Sequence, residues 1–97
     1  MIIIPEKTLN DAIKKYPDSK KGLMAWNTVT KQSKWNNPNE VKSSFSKVSL
    51  LSNNRIVFNI KGNDYRLVAL FNFIAQICQI RWIGTHSDYD KINANEI

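Results

Sequence analysis

Ninety-seven residues allow one domain and leave no room for a second core. An apolar share of 42%, with three Trp, three Tyr and four Phe, excludes a disordered chain. Fourteen Lys and Arg against eight Asp and Glu leave a formal charge of +6, which points to a polyanionic partner, RNA or DNA ahead of an anionic membrane surface.

Met1–Ile4 is β-branched and ends at Pro5, which predicts a short strand. The run is too short for a signal peptide or a membrane span, so a soluble cytoplasmic protein with no membrane association is expected. Thr8–Tyr16 places Leu9, Ile13 and Tyr16 on one helical face, and Pro17 stops it. Asp18 or Ser19 can cap a second helix that reaches about Gln32, with Leu23, Trp26, Asn27 and Thr30 at neighbouring positions. Trp35 and Pro38 mark a break. Pro38–Ser43 suits a third short helix, with Pro in its first turn and Glu40 near its positive end.

The pattern changes after Phe45. Arg55–Ile60 is rich in strand formers, Lys61–Asp64 is a turn, and Tyr65–Phe73 resumes as strand, so a hairpin is expected. Gln76–Thr85 reads as a further strand, joined by too few residues for a helical crossover and therefore antiparallel. The predicted order is β-α-α-(α)-β-β-β-α. This is a single α+β domain over residues 1–97, with helices in front and an antiparallel sheet behind.

Period two assigns the faces. Arg66, Val68, Leu70 and Asn72 share one face, and Tyr65, Leu67, Ala69, Phe71 and Phe73 share the other, which must cover the helices. Arg66 then projects from a face free to meet a ligand. On the last strand, strict alternation groups Arg81 with Gln79, Ile83 and Thr85, and Ile80 with Trp82 and Gly84. The register that would set Arg81 beside Arg66 is open at this stage.

Candidate chemistry gathers after that strand. Thr85 can accept from the backbone three residues on, and Asp88 can reach back, so Thr85-His86-Ser87-Asp88 predicts a capped helix start. His86 then lies in the first turn, with Tyr89 and Asp90 as surface neighbours. Free N–H donors at a helix start suit a phosphate. RNA phosphodiester cleavage needs a group to take the 2′-hydroxyl proton, cations for the developing charge, and a donor for the leaving 5′-oxygen. Histidine is suited to proton transfer near neutral pH. Eleven of the fourteen basic residues are Lys, and only Arg55, Arg66 and Arg81 can fork across a phosphate, so Arg66 or Arg81 is the expected clamp. Tyr89 could stack on a base or move a proton. No Asp/Glu cluster suggests a metal pair, and a lone His with a lone Cys offers no zinc spacing, so neither metal nor cofactor is expected. Cys78 reads as a small buried hydrophobe rather than a nucleophile. These residues equally fit a plain reading, with His86 filling a helical turn and Tyr89 packing on the sheet.

Two stretches carry a resemblance. Val57-Phe58-Asn59-Ile60-Lys61-Gly62-Asn63-Asp64-Tyr65-Arg66-Leu67 and Ile80-Arg81-Trp82-Ile83-Gly84-Thr85-His86-Ser87-Asp88-Tyr89-Asp90-Lys91-Ile92 resemble the HigB toxin family. Ala25-Trp26 and Lys34-Trp35-Asn36-Asn37-Pro38 resemble it too, so the likeness covers most of the chain. It implies the RelE-like toxin fold, with N-terminal helices packed on one face of a twisted antiparallel sheet and a short C-terminal helix. Also implied are cleavage of mRNA in the ribosomal A site and neutralisation by a helix-turn-helix, HigA-like antitoxin. The family's active residues carry over as Arg66, His86, Tyr89 and Arg81. Lys61, Asn63, Asp90 and Lys91 are the expected substrate contacts, although Asn63 and Lys61 also suit a hairpin turn and Asp90 could orient His86.

Two other readings compete. A ParE-like toxin that inhibits DNA gyrase by binding would not need Arg, His and Tyr together on an open face. A basic RNA-binding module would carry aromatics on that open face, whereas Tyr65, Phe71 and Phe73 share the expected core face.

Overall fold

The computed structural model describes residues 1–97. In chain order the elements are β1 (Ile2–Ile4), α1 (Glu6–Lys15), a 3-10 turn (Pro17–Ser19), α2 (Lys20–Gln32), α3 (Pro38–Ser44), β2 (Val48–Leu50), β3 (Arg55–Ile60), β4 (Tyr65–Asn72), β5 (Ile77–Thr85) and α4 (His86–Tyr89). The five strands form one sheet in the order β1-β5-β4-β3-β2.

The fold is α+β, but the sheet is mixed where the sequence predicted an antiparallel one. β1 pairs parallel to β5, Ile2 with Ile77 through Ile4 with Gln79. Such a pairing needs a long crossover, and α1, α2, α3 and three strands supply it. Strand β2 was also not expected, because Val48-Ser49-Leu50 is short, largely exposed beyond the half-buried Val48, and pairs only with β3. The β3–β4–β5 meander follows the predicted bounds within a residue or two.

Burial explains the helices. α1 turns Leu9 and Ala12 inward, α2 turns Leu23, Trp26 and Thr30, and α3 turns Val41. They pack on the sheet face made by Ile56, Phe58, Ile60, Leu67, Ala69, Phe71, Cys78 and Ile80. α1 begins at Glu6, ahead of the expected Thr8, with Pro5 at its cap position. Ser19 precedes α2 but does not cap it with its side chain; its hydroxyl donates instead to the Tyr16 carbonyl at 2.6 Å. At α3 the Asn37 side chain accepts from the Glu40 N–H at 3.0 Å, and Glu40 accepts in return from the Asn37 amide.

Two latches hold the sheet's far end. The Trp35 indole N–H donates to Ser44 Oγ at 3.1 Å. The Gln76 amide, at a positive φ of 58° in the β4–β5 turn, donates to the carbonyls of Trp35 and Phe73.

Phe58 sits at the centre of the core, 1% exposed. It meets Trp26 and Phe45 edge-on, with ring centroids 5.6 and 5.0 Å away, and so joins α2 and the 45–47 loop to the sheet. Phe58→Ala should cost about 3–5 kcal/mol, a large part of the ~5–15 kcal/mol that holds a small domain together. Urea unfolding measures this. A loss below about 1 kcal/mol would show that the core does not hinge on this ring.

Candidate active site

A β-bulge arranges the site. Leu67 pairs with Ile83, Val68 with Trp82, and Ala69 with Ile80, so Arg81 has no partner on β4. Directly opposed residues share a face. Ile80 and Ile83 therefore both turn to the helices, where both pack in the main core. Trp82 and Gly84 turn to the second face with Val68 and Arg66. This corrects the strict alternation read from sequence, which grouped Ile80 with Trp82 and Arg81 with Ile83. One extra residue inverts the parity of everything after it.

Arg66 lies opposite Gly84 on β5 and Asn59 on β3. Its Nη1 donates to the Asn63 carbonyl at 3.2 Å, and its Cζ stands 5.8 Å from the centre of the Tyr89 ring. One of five guanidinium donors is thus engaged. Tyr89 also packs against Trp82, ring centroids 6.0 Å apart.

His86 opens α4, and its backbone N–H donates to the Asp64 carbonyl at 3.0 Å, fastening the helix to the β3–β4 turn. The predicted Thr85 cap is present, with Oγ1 accepting from Asp88 N–H at 3.1 Å. Asp88 does not reach back; its carboxylate faces Lys91 at 3.7 Å, an exposed pair. His86 Nδ1 lies 3.4 Å from Asp90 Oδ2, which leaves Nε2 as the nitrogen open to a ligand. The imidazole borders a surface depression of about 500 Å³ lined by Asn63, Asp64, Tyr65, Thr85, His86 and Ser87. α4 is one turn long, so little macrodipole accumulates there, and Arg66 is left as the local attraction for an anion.

The expected substrate contacts divide. Asn63 stands beside Arg66, with its Oδ1 taking the Asn59 amide at 3.4 Å. Asp90 faces His86. Lys61 is already occupied: its ammonium lies 2.7 Å from Asp18 and 3.7 Å from Asp64. Arg81 is exposed on the bulge, three positions along β5 from Gly84, which puts it about 10 Å from Arg66's partner at ordinary strand rise. It does not lie beside Arg66. Arg55 is committed elsewhere, its Nε donating to the Ile97 carbonyl at 2.7 Å.

Nor is the second face wholly open. Ala94 packs on Val57 and Val68 in a small separate cluster bordered by Leu51, Trp82, Tyr89 and Ile97. Ser52 Oγ holds Asn95 at 3.1 Å. Arg66 remains only partly covered. The residues that sequence reasoning passed over are Trp82, Gly84 and Asp18. The first two were placed only as strand residues sharing a face with Ile80 and as letters of the resemblance, and Asp18 was read as a cap.

Asp18 accepts from both Lys61 and the Tyr65 hydroxyl. The Lys61 hydrogen bond, then that of Tyr65, holds its carboxyl below the usual range; the same contacts raise the Lys61 ammonium and the Tyr65 phenol. Burial pushes the Cys78 thiol up to about 12, which fits a packing role and not a nucleophile.

The HigB toxin family, described as the RelE-like toxic component of a toxin–antitoxin system, matches residues 19–92. This chain belongs to that family. Among HigB relatives, the "mRNA interferase toxin HigB" of Escherichia coli strain K12 is 34% identical over 96 residues, which cover 97% of this chain and 92% of that protein. The "mRNA interferase HigB" of Escherichia coli O157:H7 gives the same figures, 34% over 96 residues with 97% and 92% covered. A further "mRNA interferase HigB", from Escherichia coli O6:H1 strain CFT073, is 27% identical over 94 residues, covering 95% and 91%. The matched span takes in α2 through α4, and with them Arg66, Arg81, His86, Tyr89 and Asp90.

Asp18's lowered pKa sets a pH test. Its contribution to stability is complete above the ordinary carboxylate range and is lost as pH falls through the folded-state value. Asp18→Asn should therefore flatten the acid limb of the stability profile below about pH 4. Urea midpoints across that range decide it; an unchanged acid limb would show that the Lys61 and Tyr65 contacts contribute nothing.

Proposed function

We propose that this protein is the toxin of a toxin–antitoxin pair and an endoribonuclease that cleaves mRNA on the ribosome, in the A site. The observation that carries the reading is the grouping at one end of the sheet. There the Arg66 guanidinium lies against Tyr89, in the same helical turn as the His86–Asp90 pair.

The chemistry follows from those positions. The 2′-oxygen of one nucleotide attacks the adjacent phosphorus, forming a 2′,3′-cyclic phosphate as the bond to the 5′-oxygen breaks. Arg66 supplies two parallel N–H groups to the non-bridging oxygens, where negative charge builds. The 2′-hydroxyl proton passes to a base, and the 5′-oxygen takes one from an acid. We assign those transfers to His86 Nε2 and the Tyr89 hydroxyl, and Asp90, 3.4 Å from Nδ1, steadies the imidazole. Asn63 supports Arg66 through its carbonyl. Arg81, Lys91 and a displaced Lys61 are assigned to the RNA backbone, away from the reacting phosphate.

Ribosome dependence fits so small a site. A half-open pair of groups does little to orient flexible RNA, and orientation contributes several powers of ten to rate. The partners are the ribosome with its mRNA, and a helix-turn-helix, HigA-like antitoxin that meets the basic surface. We assign this protein to the cytoplasm because the proposed target, mRNA on the ribosome, lies there; no helix is long and apolar enough to cross a membrane.

Arg66→Ala and His86→Ala should each lower cleavage of ribosome-bound mRNA by about 10²–10⁴-fold while circular dichroism stays native. Arg66→Lys should restore only part, because a point charge does not fork. Tyr89→Phe should lose activity if the phenol moves a proton and keep it if the ring only stacks. Full toxicity of folded Arg66→Ala and His86→Ala would overturn the site in favour of a binding-only toxin. Equal cutting of naked mRNA would remove the ribosome from the mechanism.

A further inference from the structure

Gly84 occupies the interior of β5, where glycine is a poor strand former. Its φ is not in the left-handed region, so backbone freedom does not explain it. Space does. A Cβ at this position would come within 2.5 Å of Trp82 Cζ2 and 2.6 Å of Cη2. The far edge of the indole thus lies across Gly84, on the face the bulge turns away from the helices. From there the same ring packs on Tyr89, 6.0 Å between centroids, and Tyr89 in turn meets Arg66, which stands directly opposite Gly84.

We propose that Trp82 and Gly84 are positioning residues: the indole laid over Gly84 fixes the Tyr89 ring where it meets Arg66. This rests on the cleavage reading above, in which Tyr89 and Arg66 meet the substrate. Neither Trp82 nor Gly84 touches the reacting phosphate. Their part is to set the distance between a phenol on one turn of helix and a guanidinium on a neighbouring strand. α4 is four residues long and buries none of them, so it cannot fix that distance by its own packing. Trp82 and Tyr89 both border the small second-face cluster, but Trp82 is the one held in a strand, with Val68, 0% exposed, directly opposite it.

The test is a double-mutant cycle on ribosome-bound mRNA. Gly84→Ala adds one methyl group that strikes the indole. It should lower kcat by about 10–100-fold, since a misplacement on the order of 1 Å can cost that much. KM for the ribosome should stay unchanged and the chain should stay folded. Trp82→Phe removes Cζ2 and Cη2, the atoms the methyl would meet, and loosens Tyr89 by itself, so the Gly84→Ala/Trp82→Phe double variant should lose no more than Trp82→Phe alone. In a Tyr89→Ala background, Gly84→Ala should cost nothing more. A merely structural glycine would give additive losses in both backgrounds.

Undiminished activity of Gly84→Ala, or the same fold-loss in the Tyr89→Ala background as in the parent, overturns the proposal. Should Gly84→Ala fail to fold, Trp82→Phe with Tyr89→Ala completes the same cycle without touching the glycine, and additive losses there overturn it equally. The two readings fail differently. Full activity of both Arg66→Ala and Tyr89→Ala sinks the catalytic site and the positioning with it. A crippled Tyr89→Ala beside a fully active Gly84→Ala sinks the positioning alone.

Discussion

The unpaired Arg81 decides which face of the sheet each residue of the second half of β5 occupies. With it inserted, Ile80 and Ile83 both reach the core although an odd number of positions separates them. Were Arg81 paired in regular alternation instead of bulged, Trp82 and Gly84 would share the helix-facing side with Ile80, while Ile83 and Thr85 would face outward. α4 follows directly from Thr85, so the heading of His86 and Tyr89 is set by the same insertion. A single backbone irregularity thus serves two surfaces that need opposite parity: a continuous apolar layer on one side and a mixed polar and aromatic site on the other.

The two surfaces are held by different forces. On the helix side, a cluster of 16 buried residues is knit by close aromatic contacts around Phe58. On the other side the apolar cluster has three buried members, and polar contacts from Ser52, Asn63, Asp64 and Asp90 do most of the fastening. This division leaves the site end lightly covered, which suits the RNA-binding role proposed for it. Around the edge, the lysine that seemed free for phosphate is tied to Asp18, joining the β3–β4 turn to the segment before α2.

Much of this was legible in the residues. Strand-forming residue types in Arg55–Ile60 and Tyr65–Phe73, with a Lys-Gly-Asn-Asp turn between, defined the hairpin, and period two assigned the faces of the second strand. Leu9, Leu23 and Trp26 marked their helices because one face of each is buried. The capped turn at Thr85 was legible through the hydroxyl's local bond. What escaped was non-local. The parallel docking of Ile2–Ile4 on β5 depends on residues some 75 positions away, and β2 has too few residues to show a period. The bulge left no local mark either, since Arg81 is an ordinary strand residue by type. It becomes an insertion only through the partners β4 offers. Arg66, His86 and Tyr89 were therefore identifiable as a set, whereas the placing of Arg81 and the roles of Trp82 and Gly84 needed the register.

The pairing of Ile2–Ile4 with Ile77–Gln79 also bears on how the molecule comes into being. The first strand made has no neighbour until nearly the last has been synthesised, and the groups assigned to chemistry follow later still, at residues 86–90. A nascent chain is therefore an open, unpaired sheet edge for most of its synthesis. Chains released early from translation would lack both the sheet's final strand and the turn to which the proposed chemistry is assigned.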